Sequence, residues 1–137
     1  MHDRELTLSA RLITSLVAIT LFSTACGPSD SDFTEFSTYK SPDGSYFVIN
    51  DSAHSKLAFG PETIRVYVVE KDKRLRNHIV TTKIANDGGG IRNSNVKAKW
   101  IQSEVIQFCF SGVEQKDNIL EINVRTFSHT EFHETCS

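Results

Sequence analysis

The sequence predicts an all-β domain, an antiparallel meander of about seven strands that forms a small sandwich or a curled, barrel-like sheet. Two observations carry this prediction. From Phe33 onwards, apolar residues alternate with polar ones, which is the two-residue period of a strand and not the spacing of three or four residues typical of a helix. Short polar segments rich in Gly, Pro, Asn and Asp separate the alternating runs. The length suits one domain with a single core.

Four strands are predicted in the first half of the domain. They cover residues 33–39, 46–50, 63–69 and 78–85. The first turn contains Pro42, whose φ is fixed near −65°, and Gly44, which tolerates a positive φ. Gly60-Pro61 interrupts the chain before the third strand, and the charged run 71–76 is expected at the tip of the following hairpin.

Three more strands are predicted in the second half. They cover residues 96–100, 104–110 and 119–127. A flexible loop at 86–90 precedes them, and a tight turn at Gln102-Ser103 joins the first two. The predicted inner faces comprise Ile64, Val66, Val68, Val96, Ala98, Trp100, Ile106, Phe108, Phe110, Leu120, Ile122 and Val124. Cys109 falls on the opposite face from its neighbours Phe108 and Phe110.

The first 25 residues predict a signal peptide. A short charged start precedes an apolar run of eleven residues from Leu12 to Phe22, and Ser23-Thr24-Ala25-Cys26 follows. This run fits the apolar segment of a signal peptide, about 7 to 15 residues. It falls short of the roughly 20 residues that a helix needs to cross a bilayer, so we expect residues 1–25 to be removed.

The ending Thr24-Ala25-Cys26 resembles the lipobox of bacterial lipoproteins, and the polar stretch 27–32 resembles their disordered tethers. The resemblance implies that Cys26 becomes the lipidated N-terminus, that residues 26–36 form a flexible tether and that 37–137 form a single β-domain. In such proteins, Gly27 rather than Asp after the cysteine goes with sorting to the outer membrane. Ser23 and Ala25 also suit ordinary signal peptidase, which would cut the same bond without adding lipid.

The cysteine count favours lipidation and predicts one disulfide. The chain has 3 Cys, so one thiol is left over in an exported protein if the other two are bonded. Cys109 and Cys136 are the expected pair, and lipidation of Cys26 accounts for the third. The alternative is that Cys136, next to the C-terminus, is unpaired.

The C-terminal segment offers one candidate metal site. In an extended chain His129, Glu131 and His133 would share a face and could present two imidazoles and a carboxylate to zinc or copper. The alternative, which we favour, is a polar tail leading to Cys136, with no metal bound.

Two further groups of residues have a functional and a structural interpretation. Residues 71–76, together with Lys97 and Lys99, could form a basic patch for anionic lipid or a partner, or simply a solvated hairpin tip and edge-strand lysines. Asp87-Gly88-Gly89-Gly90 is read as a loop, because a phosphate site needs a following helix. No Gly-x-Ser-x-Gly motif occurs, and the sequence predicts no catalytic residue.

We therefore expect a lipid-anchored, non-enzymatic binding or structural module of the cell envelope, on the outer membrane and facing the periplasm. Its partners are the membrane, through the anchor, and an envelope protein. No cofactor is expected, and the net charge of −2 at pH 7 argues against a nucleic-acid partner. Two alternatives stay open. One is an inhibitor or immunity protein against an envelope-directed enzyme, since small lysozyme inhibitors are similar in size, β-architecture and anchoring. The other is a metal-binding protein or metal-dependent enzyme that uses His129, Glu131 and His133.

Overall fold

Two four-stranded antiparallel sheets face each other across an apolar core. The structure is a computed structural model and describes residues 27–136. The first sheet contains β1 (Thr34–Lys40), β2 (Tyr46–Ala53), β3 (Glu62–Glu70) and β4 (Asn77–Ile84). The second contains β5 (Val96–Gln102), β6 (Val105–Phe110), β7 (Asn118–Asn123) and β8 (Ser128–Phe132). Within each sheet, every strand pairs with the next in the chain, which confirms the predicted antiparallel meander; the break between β4 and β5 gives it the form of a sandwich.

Short 3-10 turns are the helical elements of this part of the chain. They lie at Asp30–Asp32 and Asn93–Asn95. Within residues 27–136, no helix has the length and apolar character needed to cross a membrane.

The alternation of the strands places the predicted inner faces in the core. Val48 pairs with Val68 across β2 and β3, and Phe108 pairs with Leu120 across β6 and β7, so the apolar residues of adjacent strands point the same way. The ring of Tyr39 in β1 meets that of Phe108 edge-on, with centroids 5.2 Å apart, and so joins the two sheets. Burial of a side chain such as Val48 or Phe108 stabilises the fold by roughly 1.5 to 3 kcal/mol. Of the predicted inner residues, Ala98 and Trp100 are only partly buried against this core.

The first turn behaves as its sequence predicts. Gly44 has a φ of 75°, in the left-handed region that glycine tolerates. The Asp43 carboxylate accepts hydrogen bonds from the Ser41 hydroxyl at 2.6 Å and the Ser45 backbone N–H at 3.1 Å. The Ser41 bond is the largest cause of the lowered pKa of Asp43, about 2 against an ordinary value of 3.8.

The prediction of a seventh strand running to residue 127 and then a polar tail is wrong. β7 ends at Asn123, and residues 128–132 form the eighth strand, β8. The Asn123 side-chain oxygen accepts hydrogen bonds from the N–H groups of Arg125 and Thr126, at 3.0 and 3.1 Å, which turns the chain without Gly or Pro. Phe127 completes this turn with a φ of 53°.

Much of the segment assigned to a tether contacts the domain. β1 begins at Thr34, and Asp30 lies 2.7 Å from the guanidinium of Arg65. The Asp32 carboxylate lies 3.1 Å from Nζ of Lys56. Hydrogen bonds from the hydroxyl and backbone N–H of Ser29, each 2.7 Å, are the main reason why the pKa of Asp32 falls to about 2. Within the described chain, the segment ahead of these contacts is therefore only residues 27–29.

The predicted disulfide is confirmed. Cys109 lies on the outer face of β6, as its register with Lys97 requires, and is bonded to Cys136 with a Cα–Cα distance of 5.9 Å. The backbone N–H of Cys136 also donates to the Asp117 carboxylate at 2.9 Å. The disulfide thereby ties the segment after β8 to β6, with β7 lying between the two strands.

We predict that Cys109→Ser and Cys136→Ser lower the melting temperature by similar amounts, and that the double variant lowers it little further. Either change opens the same loop, whose cysteines are 27 positions apart. Closing such a loop is worth about 3 to 4 kcal/mol on the chain-entropy model. Thermal unfolding of the four proteins measures the effect. Additive losses would show that the two cysteines act independently.

Candidate functional site

The candidate site is a polar groove on the side of the sandwich where β4 and β8, the last strands of the two sheets, approach each other. Its volume is about 480 Å³. An adjoining depression shares Gln115, Lys116 and His133 with it. We call the combined surface the edge groove; it comprises Thr82, Lys83, Gln115, Lys116, Asp117, Asn118, Glu131, His133, Glu134 and Thr135.

A buried amide lies at the floor of the edge groove. Asn118 is the first residue of β7 and, at 6% exposure, stands at an inward-facing position otherwise filled by apolar residues. Its Nδ2 donates to the Thr82 hydroxyl at 3.2 Å, across the two sheets, and also to the Glu131 carboxylate. Asn118 therefore positions both Thr82 and Glu131 at the walls of the groove.

The Oδ1 atom of Asn118 is buried and lacks a hydrogen-bond partner among residues 27–136. An unsatisfied buried acceptor costs about 1 to 3 kcal/mol, and because this atom is enclosed by the fold, a ligand in the groove would not contact it. The fold therefore keeps a polar side chain, with its bonds to Thr82 and Glu131, at the floor of the edge groove.

The loop between β6 and β7 is held against the end of β4. The Gln115 side-chain oxygen accepts a hydrogen bond from the Ala85 N–H at 2.7 Å. Gly112 lies so close to the Ala85 carbonyl that a side chain at this position would collide with it. These contacts fix Lys116 and Asp117 at one end of the groove.

Charges of both signs line the edge groove. Lys83 and Lys116 contribute positive charge, while Asp117, Glu131 and Glu134 contribute negative charge. The site therefore suits a ligand that is itself polar and carries both donors and acceptors, such as a segment of another protein.

The structure separates the three residues of the predicted metal site. His129 and Glu131 share a face of β8, but among residues 27–136 the potential ligand atoms of His129, Glu131 and His133 do not gather within 4.8 Å of one another. β8 ends at Phe132, so the strand alternation that would align the three side chains stops before His133.

A second finding bears on metal binding. Among residues 27–136, the potential ligand atoms that gather in groups of three within 4.8 Å belong to Cys109, Asp117 and Cys136. Both sulfurs of that group are consumed by the disulfide, and a metal needs the thiolate.

The predicted basic patch is divided between the two sheets. Lys97 and Lys99 lie on the outer face of the second sheet, beside Cys109. In the hairpin of the first sheet, Lys73 is paired with Glu70 at 2.8 Å, and Arg76 binds the nearly buried Asp51 through two hydrogen bonds of 2.9 and 3.0 Å. Much of the positive charge of residues 71–76 is thus matched by carboxylates of its own sheet.

Sequence reasoning missed two polar pairs on the first sheet. Arg76 pairs with Asp51 and also lies over the ring of Tyr67, 4.9 Å from its centroid. His54 Nδ1 lies 2.8 Å from the buried Glu62 carboxylate. The signal for the first pair was present, because polar residues 50–52 continue a strand that is apolar up to Ile49.

Together, these features define a small antiparallel β-sandwich with a disulfide-fastened C-terminal segment and a polar groove along one edge. The chain matches no protein-family model, and no curated protein or solved structure was found to match it.

We predict that a chelator leaves the melting temperature unchanged and that zinc shows no stoichiometric site requiring both His129 and His133. The reason is that the ligand atoms of His129, Glu131 and His133 do not gather within 4.8 Å of one another in the described part of the chain. Zinc titration of the protein and its His129→Ala and His133→Ala variants measures this. One tightly bound zinc per chain, lost in both variants, would contradict the structure of β8.

Proposed function

We propose that this protein is a lipid-anchored, non-enzymatic binding module of the bacterial cell envelope, attached to the outer membrane and facing the periplasm. The observation that carries the proposal is the pairing of Cys109 with Cys136, because it leaves Cys26 as the remaining one of 3 Cys. Disulfides persist in oxidising compartments, which supports export. Cys26 itself lies outside the described residues and ends the lipobox-like Thr24-Ala25-Cys26.

The proposed anchor is a set of acyl chains, palmitate among them, on Cys26. Each buried methylene contributes about 0.8 kcal/mol, and more than one chain is needed for stable anchoring. Asp30, four positions after Cys26, is already bonded to Arg65. Such an anchor would therefore hold the sandwich close to the bilayer.

The edge groove is the proposed binding surface for a protein partner. The mixed charges around Lys116 and Glu131 favour a polar segment of that partner. All five residues of β8 are exposed, so the partner would also have access to this edge strand. If the partner is an envelope-directed enzyme, the protein would act as its inhibitor or immunity protein.

The anchor is tested by mass spectrometry of the mature N-terminus. We expect the chain to begin at an acylated Cys26, and we expect a Cys26→Ser variant to lose its association with the membrane fraction. The outcome against the proposal is a mature chain whose Cys26 carries a free amine and no lipid, or a chain that retains residues 1–25.

The binding surface is tested by site-specific photo-crosslinking in intact cells. A photoreactive residue in place of Lys116, in the edge groove, should give a discrete protein adduct. The matched control replaces Lys99, an exposed lysine on the outer face of the second sheet, and should give none. A Glu131→Lys change should reduce the Lys116 adduct. Equal adducts at both positions would argue against a partner in the groove.

A further inference from the structure

The loop between β2 and β3 exposes two large apolar side chains. Leu57 is 59% exposed and Phe59 is 76% exposed. A single exposed apolar residue is ordinary, but two of them two positions apart on a short loop form a local apolar tip. We call residues 55–60 the apolar loop.

Local contacts hold the apolar loop in one conformation. The Gly60 N–H donates to the Leu57 carbonyl at 3.1 Å, and the Leu57 N–H donates to the Ser55 hydroxyl at 3.1 Å. Phe59 has a φ of 63°, unusual for a residue with a side chain. Gly88 packs closely against the backbone of Phe59. A Cβ atom added at residue 88 would lie only 3.2 Å from the backbone N and Cα of Phe59. The ring of Phe59 is thus exposed on a constrained loop.

The apolar loop is fastened to the segment that follows Cys26. Lys56, within the loop, lies 3.1 Å from the Asp32 carboxylate. Arg65, in the next strand, binds Asp30 at 2.7 Å and lies 3.8 Å from the centroid of the Phe33 ring. The chain leading away from Cys26 therefore runs to the base of this loop.

Chain length limits how far the apolar loop can be from an anchor at Cys26. Asp32 follows Cys26 by six positions, and an extended chain spans at most about 3.3 to 3.6 Å per residue, or about 20 Å in all. A lipid on Cys26 would thus keep the loop within reach of the bilayer surface. Insertion of two side chains then becomes an intramolecular event at high effective concentration.

Strand pairing shows which residues lie at the end of the sandwich opposite to the apolar loop. Ser52 in β2 pairs with Thr34 at the start of β1, whereas Lys40 at the end of β1 pairs with Phe47. Leu75 is also exposed, at 67%, but it lies in the β3–β4 connection at the end opposite to the apolar loop. Leu75 is therefore a matched control.

We infer that Leu57 and Phe59 insert into the headgroup region of a phospholipid bilayer beside the lipid anchor and so hold the sandwich in one orientation on the membrane. This inference rests on the proposed anchoring at Cys26. Its occupant is the bilayer because the loop lies next to the segment that an acylated Cys26 would bring to the surface.

The test uses the chain 26–137, coupled through the Cys26 thiol to a maleimide lipid in phosphatidylethanolamine and phosphatidylglycerol vesicles. The coupling supplies the anchor chemically, so the result is independent of acylation in the cell. The chain has 1 Trp, and a Trp100→Phe change removes it so that the fluorescence comes from an introduced tryptophan. Phe59→Trp and Leu75→Trp are then compared in that background.

We expect the emission of the Phe59→Trp protein to shift to the blue on coupling and to be quenched by brominated acyl chains, and that of the Leu75→Trp protein to show neither change. A Leu57→Ser change should reduce the quenching. Complete coupling without quenching at position 59 would overturn the inference, as would equal quenching at both positions. A blue shift without bromine quenching, growing with protein density, would instead indicate a second copy of the chain on the loop. Absence of lipid on Cys26 in cells, with quenching retained in vesicles, would overturn the proposed function alone.

Discussion

Phe108 lies where the two inner faces of the sandwich meet, and the rest of the fold depends on that packing. It is fully buried, contacts Tyr39 of the opposite sheet edge-on and stacks on Phe110 of its own strand, with ring centroids 5.7 Å apart. Because one sheet supplies Tyr39 and the other the two phenylalanines, neither sheet can bury its inner face alone. The distance between the sheets, and with it the approach of β4 to β8, follows from these contacts.

Two asparagines interrupt this apolar interior at inward positions. Asn50 donates to the Ser37 hydroxyl at 3.1 Å, and Asn118 donates to Thr82 and Glu131. Each leaves its Oδ1 buried without a partner among the described residues. The bond of Asn50 links β1 to β2, and a slip of one residue would break it and turn Val48 outwards. The same kind of side chain thus fixes register at one place and shapes the floor of a groove at another.

Most strands could be predicted from the two-residue alternation of apolar residues, with their ends marked by Gly, Pro or short polar and charged runs. The turn after Asn123 was missed because its side chain and the left-handed Phe127 do the work usually done by glycine. Residues 26–36 were assigned to a tether because a stretch rich in Ser and Asp resembles a disordered segment in composition. Its bonds to Lys56 and Arg65 come from residues far along the chain, which no local pattern reveals.

The edge groove was beyond local reasoning for a related reason. Glu131 and His133 were identified as candidates, but the position of His133 relative to His129 and Glu131 depends on where β8 ends. Lys83 and Lys116 join them only because the two sheets pack with β4 and β8 on the same side. Asn118 alone left a signal, since it is a polar residue at the start of the inward series that continues with Leu120 and Ile122.

The ion pairs at the start of the domain also decide how mechanical force enters it. Among residues 27–136, β1 is an edge strand and pairs with β2 alone. A pull on the chain ahead of Asp30 would peel a bare edge strand away one hydrogen bond at a time. Arg65 and Lys56 instead pass part of that load through Asp30 and Asp32 to β3 and to the loop before it. A force applied at the N-terminal side is thus borne partly by β3, a central strand that is hydrogen-bonded along both edges.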